Sequence, residues 1–574
     1  MNKHINMVVN DSNFGSGIKE YIENKGVENP EEFMSDNNSL TYYTEAEALY
    51  NMNNAVNIVK QGIQDGKHFG VVVDQDFDGY ASSAMIYRLL VNEGAFVELI
   101  SSNKKVHGID TLRQQIIMDY DSDIVIIPDG GINDYDSITD LVRRDINVIV
   151  LDHHLINRPD KVNSLGACMV SSQNPENLMT NENFTGAGIT ERFVNAFYGQ
   201  VDYIYQTLAS VGQVADISDT SDIEIRGLVV RGLEHFNQHP FFKEFGIPNP
   251  VYQNDIGWSV SPLINAVSRF GTLEERLNIV RALSGTLDEN PYIVKEKRKK
   301  NKTTGKFDKI EVHVNEYNEV YEMAKKVKAK QEKELKETMK SISWLIEPEV
   351  NNIAVALIPN DKNSAVTGLI ANKLQSKYSQ PILVGRDIKH HFWGSLRSPG
   401  QFPFSTWANE TGLIKATGHE QAAGANFDIS NTTDIVKVSK ELDFNGHPTE
   451  VDIMYDSFVD KRQLENINKY EQYYGGLVNK PVVGIKNLKI KKSNINTKTS
   501  MISFLYNDVQ FVMYKAEKVI EFIKYETGFT TDLSIDLVGS VGETDWGKKM
   551  PQIMIQDIAI NLNKKIDNED KYIF

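Results

Sequence analysis

Seven side chains able to bind a divalent cation follow three apolar runs between residues 69 and 154. VVV at 71–73 leads into DQDFDG, which supplies Asp74, Asp76 and Asp78. IVIIP at 124–128 leads into Asp129 and two glycines, and VIVL at 148–151 leads into Asp152, His153 and His154. So many carboxylates gathered at one place would repel one another unless cations neutralised them. Carboxylates and imidazoles without thiolates suit manganese or magnesium better than structural zinc. Two such ions, about 3.5–4 Å apart, are the arrangement for in-line hydrolysis of a phosphodiester. Taken singly, each motif has a plainer explanation. A DxD turn is commonly a solvated or helix-capping loop, and an aspartate before two glycines is commonly a turn. Two histidines after a buried strand are harder to account for, because each needs specific partners. The three motifs together favour a metal site.

The elements that must carry these residues are legible in the same stretch. Phe69–Val73, Ile124–Ile127 and Val148–Leu151 read as strands buried on both faces, which implies a parallel sheet covered by helices. Helical stretches at Ala81–Asn92 and Ser137–Arg144 lie between them, giving a doubly wound α/β pattern. Open parallel sheets place their ligands at the carboxyl ends of the strands, where all three motifs fall.

With 574 residues, 41% of them apolar, the chain should form three or four packed units. Its single cysteine, Cys168, can form neither an internal disulfide nor a multi-cysteine zinc site. No long apolar run and no N-terminal leader pattern is present, so the chain is expected to be soluble and cytoplasmic, with no membrane contact. A net charge of -17 argues that any grip on nucleic acid follows a confined basic track. After the first domain, assigned to 1–232 with its N-terminal extension, a helical connector is expected over 233–345. Within it the lysine-rich Lys295–Lys306 reads as a surface loop, and Glu316–Ile342 as one long helix. A second, smaller α/β domain is expected over 346–446. Alternating runs over 447–574 suggest antiparallel strands, with an oligonucleotide-binding (OB-like) β-barrel as one candidate.

These motifs resemble those of the DHH superfamily of phosphoesterases, and most closely its RecJ-type single-strand-specific DNA exonucleases. VVVDQDFDGYAS, IIPDGG and VLDHH are similar to the first three family motifs, and QNP (173–175), TGAGITERF (185–193) and LASVGQVADISD (208–219) follow in family order. The resemblance implies metal ligation by Asp74, Asp76, Asp78, Asp129, His153 and Asp216, with Asp152 and His154 also in the catalytic set. SPLINAVSRFG (261–271) resembles a substrate-binding segment and marks Asn265 and Arg269. GSLRS (394–398) and TGHEQAAG (417–424) resemble the DHH-associated domain. They mark Ser395, Arg397 and Ser398 for a terminal phosphate, together with Gly418 and His419. Two departures stand out: Thr417 occupies a position where the family commonly has glycine, and Lys104 or Lys105 stands near a usual arginine.

The function implied is two-metal hydrolysis of single-stranded DNA from the 5′ end by a monomer, with a single-strand-binding protein or a helicase as further partners. Lys295–Lys306, the lysines at 325, 326, 328 and 330, and Lys486–Lys492 are candidate phosphate contacts, while Phe504, Tyr506, Phe511 and Tyr514 are candidate stacking groups. Two alternatives stand beside this. One is a hydrolase of short oligonucleotides or cyclic dinucleotides, whose DHH relatives generally lack a barrel. The other is an inactive scaffold at a replication fork, which would have lost metal ligands that are all present here.

Overall fold

The computed structural model describes residues 5, 7–9, 17–35, 44–102, 108–290, 293–300, 307–348, 350–399, 402–442, 449–476, 478–491, 494–498, 500–526, 533–544, 549–561 and 571–573. The expectations for Lys104, Lys105 and Lys492, and for 301–306, fall outside these residues.

A short N-terminal strand, β1 (Met7–Val9), runs parallel to Thr449–Val451. Ile18, Tyr21, Ile22, Val27 and Phe33 that follow it are buried in the core of the C-terminal sheet. The N-terminal extension, expected with the first domain, thus packs with the last one.

The three apolar runs become strands of a five-stranded sheet that is parallel throughout: β2 (His68–Val72), β3 (Phe96–Ile100), β4 (Ile124–Pro128), β5 (Asn147–Asp152) and β6 (Cys168–Ser171). Val71, Ile126 and Ile149 face one core while Val72, Val125 and Val148 face another. That two-sided burial is why these strands read as continuous apolar runs. The order β3-β2-β4-β5-β6 places a topological switch between β2 and β4. Helices α1 (Phe77–Asn92), α2 (Gly186–Tyr198) and α3 (Tyr203–Ala215) pack against one another over the first core. α1 begins ahead of its apolar pattern because Asp76 caps it, accepting a hydrogen bond from the Gly79 amide at 3.1 Å.

Helix α4 (Ser261–Phe270) follows, and then the described part of the lysine-rich segment, residues 295–300, which is not the expected loop. It forms strand β7 (Ile293–Lys300), paired antiparallel with β8 (Phe307–Val314). Backbone pairing in such a ribbon does not require the apolar alternation by which a strand is recognised, and residues 295–300 show none. The long helix α5 (Glu316–Lys340) packs on α4 and leads into the second α/β unit.

That unit holds β9 (Ser343–Ile346), β10 (Ala354–Leu357), helix α6 (Thr367–Tyr378), β11 (Ile382–Ile388), β12 (His391–Arg397), β13 (Lys415–His419) and β14 (Ala422–Asp428) in a six-stranded mixed sheet.

The last domain departs from expectation. After β15 (Thr449–Val451) come β16 (Ile453–Asp456), β17 (Val482–Ile490), β18 (Ile495–Lys498), β19 (Met501–Tyr506), β20 (Val509–Tyr514), β21 (Leu533–Glu543), β22 (Pro551–Asn561) and β23 (Lys571–Ile573). They form an eight-stranded sheet in the order β16-β17-β21-β22-β20-β19-β18, with β23 on β22. Among the described residues no ladder joins its ends, so the expected barrel is not closed. Alternating runs reveal that strands exist, but closure depends on pairings that alternation does not encode. Phe504 and Phe511, named as stacking candidates, are buried in this domain's core.

Candidate metal centre

The carboxyl ends of β2, β4 and β5 meet the N-terminal turns of α1 and α2 and the C-terminal end of α3. Asp74 follows β2 and is buried, Asp76 caps α1, and Asp78 lies in the first turn of α1, also buried. Oδ1 of Asp78 accepts hydrogen bonds from the Thr185 hydroxyl at 2.9 Å and the Ala187 amide at 3.2 Å, at the start of α2. A helix N-terminus is a favourable place for a carboxylate.

Asp129 is held in the left-handed region (φ 58°), with its amide bonded to the Leu151 carbonyl at 2.8 Å. That turn aims its side chain into the site, where Oδ1 lies 3.3 Å from Nε2 of His153. The same nitrogen is 3.8 Å from Oδ2 of Asp216, the residue that ends α3. Asp152 plays a different part. Its Oδ1 accepts from the amides of His153 (2.7 Å) and His154 (3.1 Å) and meets Nδ1 of His154 at 2.7 Å, while Oδ2 accepts from the Ile132 amide at 3.0 Å. Oδ1 thus orients the histidine pair, while Oδ2 ties the strand end to the loop at Ile132.

The electrostatics are those of carboxylates kept together at a cost. Burial and then the neighbouring Asp76 push Asp78 up to about 7. Burial followed by Asp78, Asp76 and Asp74 raises Asp129 well above the carboxylate range. Asp216 is pushed up to about 6 by partial burial and then by Asp78. Burial alone would raise Asp152, but its hydrogen bonds and the charge of His154 outweigh that and hold it low. His154 rises correspondingly to about 9, chiefly through its bond to Asp152. His153 is lowered by burial against the pull of Asp152, so it offers a neutral ring nitrogen.

These residues fit divalent cations. Oδ2 of Asp78 and Oδ1 of Asp129 are buried with no hydrogen-bond partner, a costly state unless a cation occupies the space between them. Ligand atoms within 4.8 Å of one another gather into two groups, Asp74–Asp76–Asp129 and Asp129–Asp152–His153–His154. Asp129 belongs to both. Each octahedral cation with bonds of about 2.1 Å sets adjacent ligands about 3 Å apart, close to the spacing of Asp129 and His153.

Two glycines let the helices approach. A Cβ on Gly186 would sit 2.4 Å from Cβ of Asp129, and one on Gly212 would sit 2.4 Å from Oδ1 of Asp78. The sequence signals for this support were present but weak: a threonine before a glycine at the start of α2, and small residues along α3.

Residues 68–211 match the model of the DHH family, N-terminal domain. The chain carries a DHH-family domain. The chain is 27% identical, over 594 aligned positions, to an SPbeta prophage-derived protein of Bacillus subtilis (strain 168) provisionally named a single-strand DNA-specific exonuclease; the match covers 97% of this chain and 98% of that one. It is 23% identical to the single-stranded-DNA-specific exonuclease RecJ of Thermus thermophilus, covering 66% of this chain and 52% of that protein. A crystal structure of RecJ with Mn2+ from Thermus thermophilus superposes with a TM-score of 0.65 at 17% identity, over 91% of this chain and 72% of the other, which is a likeness of fold.

Beyond the DHH domain the structure brings a set of cations toward the carboxylates. α4 is tied to the metal loop, because the Ser268 hydroxyl donates to the Gln75 carbonyl at 3.0 Å, between Asp74 and Asp76. Arg269, the next residue, is exposed and lies near enough to Asp76 to feel its charge. Arg397 is lowered first by burial and then by the like charge of Arg269. Lys328 of α5 is likewise lowered by burial and, against the pull of Glu332, by Arg269 and Lys373. Lys373, on α6, was not singled out from the sequence.

Ser395, Arg397 and His419 share one face of the second domain's sheet. The register pairs Arg397 with Ala422 and Ala422 with His419; it pairs Ser395 with Gly424 and Gly424 with Thr417. Residues directly opposite in a ladder point to the same side. Arg397 and His419 are therefore roughly 10 Å apart across two ladder steps, on one side. The Ser395 hydroxyl is 2.9 Å from that of Thr367 on α6. Ser398 instead donates to the Phe402 carbonyl at 2.9 Å, which fixes the following loop. Gly418 has φ 135°, a region that residues with a Cβ rarely adopt, so the strand accepts Thr417 while glycine stays where the backbone requires it. Asn265 lies half-buried on α4, one turn before Arg269.

Proposed function

We propose that this chain hydrolyses phosphodiester bonds of single-stranded DNA with two divalent cations, Mn2+ or Mg2+, starting at the 5′ end and releasing 5′-mononucleotides. The observation that carries the reading is the sharing of Asp129 between two groups of ligand atoms. Asp74, Asp76, Asp78, Asp129, His153 and Asp216 would hold the ions. When bound, they supply Lewis acidity at the phosphate and acidify water at neutral pH.

The remaining work falls to this chain's own groups. Asp152 fixes the backbone of both histidines and the ring of His154 through its hydrogen bonds. Arg269, Arg397 and Ser395 would bind the terminal phosphate, arginine being able to do so bidentately. His419, on the same face as Arg397, would donate to a phosphate oxygen farther along. With the 5′ phosphate held there, the first internal bond is the one within reach. The names of the prophage and RecJ relatives support single-stranded DNA as the substrate. The eight-stranded C-terminal sheet, which hydrolases of very short oligonucleotides have no need of, supports a longer strand. No described helix is long and apolar enough to cross a membrane.

The reading is tested by chelation: EDTA should abolish digestion of a single-stranded oligonucleotide, and added Mn2+ should restore it. Undiminished digestion after exhaustive chelation would reject it.

A further inference from the structure

Helix α4 is buried on almost every side, yet one stripe of it reaches solvent. From the turn before α4 to its last residues, Trp258, Pro262, Asn265 and Arg269 recur at intervals of four, three and four residues, the spacing of one helical face. All four are exposed or half-buried, while Val260, Leu263, Ile264, Ala266, Val267 and Ser268 between them are buried. Arg269 stands at one end of the stripe, next to Ser268, whose hydroxyl bonds the Gln75 carbonyl of the metal loop. At the other end, roughly 15 Å away along the axis, Trp258 is 83% exposed.

Single exposed apolar side chains are ordinary on protein surfaces, so exposure alone would mean little. Three features set this indole apart. It sits in a π-helical turn, Ile256–Val260, a rare geometry that tends to occur at functional sites. It continues a face that already carries Asn265 and Arg269 toward the carboxylates. That face is fixed relative to the metal loop by the Ser268–Gln75 hydrogen bond and by the packing of α4 on α5. A flat aromatic surface on a face that ends in an arginine is what an unstacked nucleobase binds, whatever its identity, because every base has a π-face.

We propose that Trp258 is a base-stacking platform on the path of the single strand, engaging a nucleotide a few positions beyond the metal-proximal ones. The inference rests on the single-strand reading above. The strand leaves the carboxylates along α4, with its phosphates beside Arg269 and one base against the indole. The platform adds affinity for strands long enough to reach it and does not discriminate among sequences.

Digestion by the full chain in Mn2+ tests this, using 5′-phosphorylated strands of about 20 nucleotides, longer than a single stacking groove spans, that each carry one abasic site at successive positions. For the unaltered protein, KM should rise roughly tenfold when the missing base is the one at Trp258, a few nucleotides from the 5′ end, and less on either side. Trp258→Ala should raise KM for the intact strand by a similar factor with kcat changed little, and should erase the penalty for that abasic position. Trp258→Phe should restore most of the affinity, and Ser259→Ala, at the neighbouring exposed position, should behave like the unaltered protein. Absence of any abasic penalty beyond the first two nucleotides would overturn the proposal. So would additive effects of Trp258→Ala and the abasic site. Failure of the single-strand reading would show differently, as no digestion of the intact strand by the unaltered protein.

Discussion

Oδ1 of Asp129 lies 3.3 Å from Nε2 of His153, and the two side chains reach that distance from the ends of adjacent parallel strands. One is a carboxyl pushed up by burial and like charge, the other an imidazole kept neutral by burial. A cation between them would relieve both. Asp129→Asn and His153→Ala should therefore each lower hydrolysis by on the order of a thousandfold or more while leaving the fold intact. Circular dichroism and melting curves beside the rate measurement check this. Near-normal turnover with Mn2+ still required would contradict the assignment.

Asp152 should behave differently from the ligands, because its oxygens hold the histidines and the Ile132 amide. Asp152→Asn should weaken Mn2+ binding about 10–100-fold without changing the number of ions bound. Calorimetric titration of the metal-free protein separates this from the loss of a ligand, which would remove an ion altogether.

Gly186→Ala and Gly212→Ala test whether close helix approach sets the carboxylates. The added Cβ would meet Asp129 in the first case and Asp78 in the second at 2.4 Å. Each substitution should cost about 1–3 kcal/mol of stability and lower activity more than stability alone explains. Denaturant melts and rates at saturating Mn2+ measure the two effects. An unchanged rate in either variant would show that the contact is not needed.

The three strands and their ends were legible because burial on both faces leaves an unbroken apolar run, and because three such runs each end in acidic residues or histidines, which no single turn or cap explains together. Asp216 was identified through the family resemblance. Its contact with His153 joins residues far apart in the chain, which no local pattern records. The lysine-rich stretch was misread because a ribbon such as β7–β8 needs no apolar face. The last domain's strands were visible in their alternation, but its open edges were not, since an edge is defined by the absence of a partner strand. The N-terminal segment gave no sign that Tyr21 and Phe33 would pack against the far end of the chain.

Stability without metal should depend on pH in the sense set by the raised carboxyls. Asp78 and Asp216, near 7 and 6 in the fold, favour their protonated forms there. The stability they contribute is present below the unfolded value of about 4 and is lost as pH rises through about 6 to 7. Bound cations need the deprotonated forms and remove that loss. The rise in Tm on adding Mn2+ should consequently be larger at about pH 8 than at about pH 5.5. A larger rise at the lower pH would contradict the burial of these groups as acids.

Arg397→Ala should weaken binding of 5′-phosphorylated strands by about 10–100-fold, since a charge-assisted hydrogen bond contributes about 1.5–3 kcal/mol, and should affect 5′-hydroxyl strands much less. Competition between the two strands for the variant and the unaltered protein reads this difference. Equal losses on both would show that Arg397 does not read the terminal phosphate.

The most direct test of the whole account is a time course on single strands labelled at either end, run in Mn2+ beside a blunt duplex of the same sequence. Early release of the 5′ label as a mononucleotide, with 3′-labelled fragments shortening gradually and the duplex resisting, is the predicted result. Early release of the 3′ label, or attack on the blunt duplex at a comparable rate, would contradict it.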